Sequence, residues 1–402
     1  MEVFLIFCVL VLAALLIPWF EGLLTSKKYI GLTIFALGLA FALRALGFDY
    51  RSGDYNTFLV HWVEHFRIHG GFAGLGYRVG NYNFPYLYFL ALFSYSDIND
   101  LYLIKFLSVS FDLVLAFAMM KLTGVFTQSK PKRLAVYLIT LLLPTVVLNG
   151  AIWGQCDSIY AAFAVLSLWL ALTDRPKLSM VCITLSFAFK LQAVFIMPLF
   201  LVLLFAKKIK FRHLFIFPIV YIITILPAVA FGRPFFDSLF FYFHNVSSAG
   251  RGLNYNSPSI FAMIRGPVNV RALSALGIVA AFTYVFIILV WAWQKRKNLS
   301  NEALAGIALL FVVGIPFLLP HMHDRYFFMA DTLTLLPAVL YARYVPVPIL
   351  TSFASSICYY AYLRRAFILP LQFGSIALIG VLLIVFIFTA DKLNTRRYRR
   401  PG

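Results

Sequence analysis

Continuous apolar runs constrain this chain more than anything else in it. The stretches 3–20, 273–294 and 367–389 are dominated by Leu, Ile, Val, Phe and Ala and hold no charged residue. A hydrocarbon core needs about 17–25 such residues per helical span, and within it a backbone must satisfy its own hydrogen bonds. A transmembrane barrel would alternate apolar and polar residues over about 10 positions, and these runs do not alternate. Only 12% of the residues are charged against 62% hydrophobic, with a mean hydropathy of +0.89, which removes the soluble classes. The expected fold is all-α, a polytopic transmembrane bundle of about 12–13 spans.

The net charge of +19 would suit nucleic acid, but its placement points elsewhere. Basic residues gather in short turns between runs: Lys27-Lys28, Lys130 to Arg133, Lys207 to Lys210, Lys295-Arg296-Lys297 and Arg396 to Arg400. Cytoplasmic loops collect Lys and Arg in this way, so we expect membrane lipid as surroundings and no nucleic-acid partner. Only Arg364-Arg365 falls on the other side in a thirteen-span count. Cys8, Cys156, Cys182 and Cys358 are scattered and form no metal-type or disulfide pattern. The run 3–20 lacks a basic leader and a small-x-small cleavage site, and reads as a retained span.

Spans are expected at about 3–20, 29–46, 102–122, 134–148, 158–173, 213–230, 273–294, 303–319, 329–343, 347–362 and 367–389. The run 178–206, with Lys190 and Gln192 in its middle, reads either as one tilted helix or as two short ones. We expect a single integral membrane domain over 1–402. Its core covers 29–230 with a large outer loop at 47–100; a C-terminal part, 231–402, carries a second outer loop at 233–271. In the first loop, Phe58, Trp62 and Phe66 recur at i, i+4, i+8 and predict an amphipathic helix over 56–69 on the membrane surface. Pro85 opens a segment to Phe93, too short to span, expected to dip into the bilayer.

Orientation by basic loops brings polar groups together on the outer face. They are Asp49, Arg51 and Asp54; Gln155 and Asp157; Lys190 and Gln192; His321, His323, Asp324 and Arg325; and Arg251 with Asn254. Ionisable groups at membrane depth are costly to hold, which makes their convergence a candidate site. Each has a plainer alternative. Asp54 follows Ser52-Gly53 and serves equally as a solvated acid or helix cap. Asp157 suits a cap, and Lys190 a side chain snorkelling to the interface. His61, His65 and His69 share a helical face that suits metal or, more often, water. His321, His323, Arg325 and Lys190 together suit a phosphate.

The ordered strings Gly53-Asp54-Tyr55, His61-Trp62 and Asn83-Phe84-Pro85-Tyr86-Leu87 resemble the first outer loop of the C-type (GT-C) glycosyltransferases. The likeness is to the glucosyltransferases that extend dolichol-linked oligosaccharide. Phe189-Lys190-Leu191-Gln192, His321-Met322-His323-Asp324-Arg325 and Arg251-Gly252-Leu253 are similar to later motifs of that family, and Asp112 sits where it tends to carry an acid. Tyr86 stands where the family has a second Pro, and the first span and shorter length also depart from the eukaryotic members. The resemblance implies an inverting transfer of a hexose, of glucose or mannose type, from a polyprenyl-phosphate donor to a glycan or lipid-linked saccharide acceptor. It implies Asp54 as general base. Lys190, His321, His323, Arg325 and Arg251 would hold the donor phosphate. Asp157, Gln155, Gln192, Asp49, Trp62, Tyr55 and Asn254 would position substrate. A monophosphate leaving group is stabilised by such cations alone, so no metal or other cofactor is required; a divalent ion is compatible with this chemistry but not indicated. A bacterial plasma membrane, with the site on its extracytoplasmic face, is the expected location.

Two other classes use a similar frame. A transporter or lipid flippase would show inverted repeats and helices broken at the midplane; no repeat is visible. A cell-envelope polysaccharide polymerase or ligase would carry more Arg and a longer late loop. A non-catalytic scaffold would not need the ordered acid, Lys and His motifs.

Overall fold

The computed structural model describes residues 1–245 and 252–394. It is built almost wholly of helices. In chain order these are α1 (Glu2–Phe20), α2 (Lys27–Ala45), α3 (Val60–Ile68), α4 (Phe84–Phe93), α5 (Asp100–Gly124), α6 (Lys130–Leu142), α7 (Pro144–Val147), α8 (Asp157–Leu172), α9 (Pro176–Phe189) and α10 (Leu199–Phe205). Then come α11 (Ile216–Ala230), α12 (Phe235–Leu239), α13 (Phe241–Asn245), α14 (Val270–Gln294), α15 (Asn301–Leu318), α16 (Phe328–Leu333), α17 (Leu335–Leu340), α18 (Pro346–Arg364) and α19 (Gln372–Asn394). Two short strands, β1 (Asn254–Tyr255) and β2 (Met322–His323), pair in parallel.

Among the described residues, seven helices are long and apolar enough to cross a bilayer: α1, α2, α5, Phe211–Ala230, α14, α15 and α19. An eighth is added if Lys130–Leu142 and Pro144–Trp153, bent by 49°, form one broken span. The protein is thus an all-α polytopic bundle, but fewer of its helices reach bilayer length than the apolar runs led us to expect. The reason lies in the breaks. Pro144 lacks an N–H and ends α6. The run 178–206 divides into α9, a 3-10 turn and α10, with Lys190 at the break, so the two-helix reading holds. The run 329–343 is likewise two short helices, α16 and α17.

The chain divides into two compact units. The first comprises Met1–Trp169, Lys177–Ala193 and Leu214–Ala249; the second comprises Leu170–Pro176, Val194–His213 and Gly250–Gly402. In the first, α1, α2, α5 and α6 share a core of Leu10, Ala14, Leu37, Phe41, Leu113, Met120, Leu134 and Tyr137. A second core joins α3, α4 and α5 through Leu59, Val63, Phe66, Phe84, Leu90 and Ile104. Inside a membrane such contacts gain packing rather than dehydration. Asparagines start two of these helices. Asn83 accepts from the Phe84 N–H at 2.9 Å ahead of Pro85, and Asn99 from the Leu101 N–H at 3.0 Å.

The helix expected at 56–69 is present, and the face it packs inside the protein is distinct from the stripe of Phe58 and Trp62. Tyr55 to Leu59 form a π turn leading into α3, and Tyr55, Leu59, Val63 and Phe66 are the residues buried. Phe58 stays 46% exposed. The segment opened by Pro85 is the ten-residue α4, and most of it packs in the core.

In the second unit α15 is buried from Ala303 to Phe317. Its glycines let neighbours approach. A methyl group on Gly306 would lie 2.5 Å from the Thr389 hydroxyl of α19, and one on Gly314 would lie 2.4 Å from the Tyr284 ring of α14.

Candidate functional site

The first unit holds its acidic loop from beneath. Lys105, on α5, is buried and donates to the carbonyls of Gly47, Phe48 and Tyr50 at 2.9, 2.8 and 2.7 Å. An ammonium has three donors, and here each finds an acceptor at the turn that leaves α2. Asp49 accepts from the Tyr102 hydroxyl at 2.7 Å. Ser52 then ties this loop to the next: its hydroxyl donates to the Trp153 carbonyl at 2.6 Å and accepts from the Tyr55 N–H at 3.2 Å. Tyr55 itself is buried in the core, and burial, with the nearby Asp100 carboxylate, pushes its phenol up. Asp54 follows Ser52 by two residues and remains half-buried.

The facing segment is a second π turn, Leu148–Trp153. Such turns recur at functional sites because they re-aim side chains. It ends at Gly154, whose φ of +78° only glycine adopts without strain. Just before it, Trp153 Nε1 donates to Asp54 Oδ2 at 2.9 Å, and just after it Gln155 Nε2 donates to the same oxygen at 2.6 Å. That orients Gln155 so that its Oε1 accepts from the Tyr82 hydroxyl at 2.7 Å and from Lys190 Nζ at 3.5 Å. Lys190 pairs with Asp157 Oδ1 at 2.5 Å and sits 5.2 Å from the centre of the Tyr82 ring. Asn149 donates to the other oxygen of Asp157 at 2.7 Å.

Behind Asp157, Arg44 of α2 is buried against Asp112, with its Nη2 2.8 Å from Oδ2, and Asp112 accepts from the Ser158 hydroxyl. Removing one partner of such a pair would leave a charge uncompensated, so the set pins the start of α8. In front, Trp62 packs edge-on to Tyr82 with ring centres 5.4 Å apart, and a methyl group on Gly80 would lie 2.7 Å from its indole. The expected residues Asp54, Gln155, Asp157 and Lys190 therefore form one hydrogen-bonded cluster. Trp153, Gln155, Asp157 and Lys190 are buried, while Asp54, Tyr82 and Trp62 are partly accessible. Gln192 is buried nearby in sequence, in the 3-10 turn after Lys190, and its Oε1 has no hydrogen-bond partner among the described residues. His65 and His69 of α3 stack at 4.2 Å; among the described residues no group of three His, Cys, Asp or Glu is placed to hold a metal.

The His and Arg motif belongs to the second unit. The pairing of β1 with β2 sets Asn254 beside Met322 and Tyr255 beside His323. His321 has a φ of +62°, a conformation costing a non-glycine residue about 1–2 kcal/mol. Its ring nitrogens contact the Gly252 carbonyl at 2.6 Å and the Ser274 hydroxyl at 3.2 Å. His323 stacks on Tyr255 at 4.7 Å, and Arg325 lies 3.6 Å from Asp324. Asn254 closes its own turn, exchanging two 2.9 Å hydrogen bonds with Ser257. Arg251 lies outside the described residues.

Sequence reasoning did not single out Tyr82, Trp153, Asn149, Arg44 or Lys105. Two of these carried a signal: Arg44 and Lys105 are charges inside otherwise apolar runs. Tyr82 and Trp153 are aromatic residues in a chain where 18% are aromatic, and nothing marks them.

Fold and site together define a polytopic, helical membrane protein with an acid, amide and lysine cluster set on its loops. Residues 82–320, more than half the chain, match the profile of glycosyltransferase family 87, and the chain belongs to that family. It is therefore an enzyme that transfers a sugar. The match takes in Tyr82, Trp153, Gln155, Asp157 and Lys190; Asp54 and His323 lie outside it. A search of curated proteins gave no match.

Proposed function

We propose that this enzyme is an inverting hexosyltransferase that takes a sugar of glucose or mannose type from a polyprenyl-phosphate donor. The acceptor is a glycan or lipid-linked saccharide on the extracytoplasmic face of a bacterial plasma membrane. The observation that carries the reading is the Asp54 carboxylate, held through one oxygen by Trp153 and Gln155 and still partly accessible. A general base needs that combination of fixed orientation and reach. The acceptor hydroxyl attacks the anomeric carbon as the bond from that carbon to the phosphate oxygen breaks. The proton passes to Asp54, and the bonding electron pair leaves on the phosphate.

Charge grows on the leaving phosphate, and cations aimed at it lower the barrier. Lys190 stands in the same cluster as Asp54. His321, His323, Arg325 and Arg251 are assigned the same task by their chemistry alone. Trp62, half-buried beside Tyr82, offers an aromatic edge to a sugar ring. Asp157, Gln155, Gln192 and Asn254 are assigned to hydroxyl groups, and Asp49 and Tyr55 to holding the loop.

The test is transfer in proteoliposomes loaded with polyprenyl-phosphate hexoses. Asp54→Asn should lower kcat by about 10²–10⁴-fold, the usual contribution of a positioned base. Transfer near the wild-type rate would remove Asp54 from the reaction. Movement of the lipid-linked sugar without a new glycosidic bond would favour a flippase.

A further inference from the structure

One pair of cations in the first unit plays no part in the cluster above. The 3-10 turn Gly71–Gly76 and the end of α11 run side by side. A methyl group on Gly76 would lie 2.4 Å from the Phe231 carbonyl oxygen, and Phe72 stacks on Phe231 at 6.2 Å. Two residues beyond that contact, each strand of chain carries an arginine: Arg78 on one and Arg233 on the other. Gly232, at a φ of +102°, makes the turn that delivers Arg233.

Arg233 is half-buried, with its guanidinium 5.6 Å from the centre of the Phe84 ring. Its Nε is enclosed and has no hydrogen-bond partner, and among the described residues neither arginine makes an ion pair. Burial, and after it the charge of Arg78, pushes the Arg233 guanidinium below its usual range, opposed more weakly by Asp237. Two like charges drawn together, one of them partly desolvated, are costly to leave without an anion. Planar guanidinium groups match the oxygens of a phosphate. The surroundings are apolar: α12 and α13 follow at once and leave Phe236 69%, Phe240 45% and Phe243 77% exposed. Exposed phenylalanines on short surface helices bury into the apolar edge of a bilayer, just beneath its phosphates.

We propose that Arg78 and Arg233 form a binding site for a phosphate group carried by a lipid. The site lies outside the Asp54 cluster and concerns binding rather than transfer. Two lipids present that chemistry, an isoprenyl monophosphate and an anionic phospholipid.

The experiment uses the full-length protein and two probes. One is citronellyl monophosphate, titrated by calorimetry in detergent. The other is phosphatidylglycerol in phosphatidylcholine nanodiscs, followed as retained lipid by native mass spectrometry. Arg78→Gln, Arg233→Gln and the double variant are compared with wild type. Arg271→Gln, an exposed arginine at the start of α14, controls for net charge. Loss of charge-assisted hydrogen bonds should weaken binding of at least one probe by roughly tenfold or more in each single variant. A change with citronellyl phosphate alone assigns the site to an isoprenyl phosphate, and a change with phosphatidylglycerol alone assigns it to a headgroup. Unchanged binding of both probes in the double variant overturns the proposal. Arg78 is exposed, so its replacement tests the site even where Arg233→Gln fails to fold. Neither readout needs turnover, so a failed transfer assay leaves this test intact.

Discussion

At the scale of single residues, the proposed role of Asp54 as general base rests on its orientation. Two neutral donors converge on one of its oxygens, and they come from the same π turn and its exit. Trp153→Phe keeps the ring and removes one donor. It should lower kcat by roughly 10-fold and leave KM near its original value, since a base held less firmly spends less time in reacting geometry. A rise in KM with kcat unchanged would place Trp153 in substrate binding instead. The members of this cluster were unevenly legible in the sequence. Asp54, Gln155, Asp157 and Lys190 stand out because each interrupts an apolar context or opens a run. Trp153 and Tyr82 use the polar tips of side chains whose bodies look like any other membrane aromatic, so nothing in the pattern separates them. Lys190 was legible as a cation but not as the partner of Asp157, because that ion pair joins positions 33 residues apart.

At the scale of elements, helix existence was easier to read than helix length or face. Apolar runs locate α1, α2, α5, α14 and α15 closely, and α19 to within about a turn and a half. Breaks at Pro144 and around Lys190 shorten others, and hydropathy alone passes over such breaks. The face of α3 shows a second limit. Phe58, Trp62 and Phe66 make one stripe, and Tyr55, Leu59, Val63 and Phe66 make another that overlaps it. Both satisfy a helical period: the second packs against α4 and α5, while Phe58 of the first stays exposed, so periodicity alone does not say which face meets protein. Lys105 makes the matching prediction. Lys105→Met would fill similar space and leave three carbonyls at the exit of α2 without their donor. Each unsatisfied buried group costs about 1–3 kcal/mol. The variant should lose thermal stability, and its loop from 47 to 54 should become a preferred site of limited proteolysis. Wild-type melting temperature and an uncut loop would reduce Lys105 to a surplus charge.

At the scale of the molecule, the proposed reaction depends on sidedness. A donor sugar facing outward requires the first loop outside, and Lys and Arg collect in the turns at the other ends of the spans. Two exposed positions test it. Tyr77, 58% exposed, lies on the first loop, and Arg296 lies in the basic turn after α14. Of the four cysteines, Cys8 is exposed and Cys182 partly so, while Cys156 and Cys358 are buried, so replacing the first two gives a quiet background. In that background Tyr77→Cys should react with a membrane-impermeant maleimide in intact cells. Arg296→Cys should react only after the membrane is opened. The reverse pattern would put Asp54 on the cytoplasmic side. The sugar would then have to be presented there, and a donor whose sugar faces outward would be ruled out even if Asp54→Asn abolished transfer.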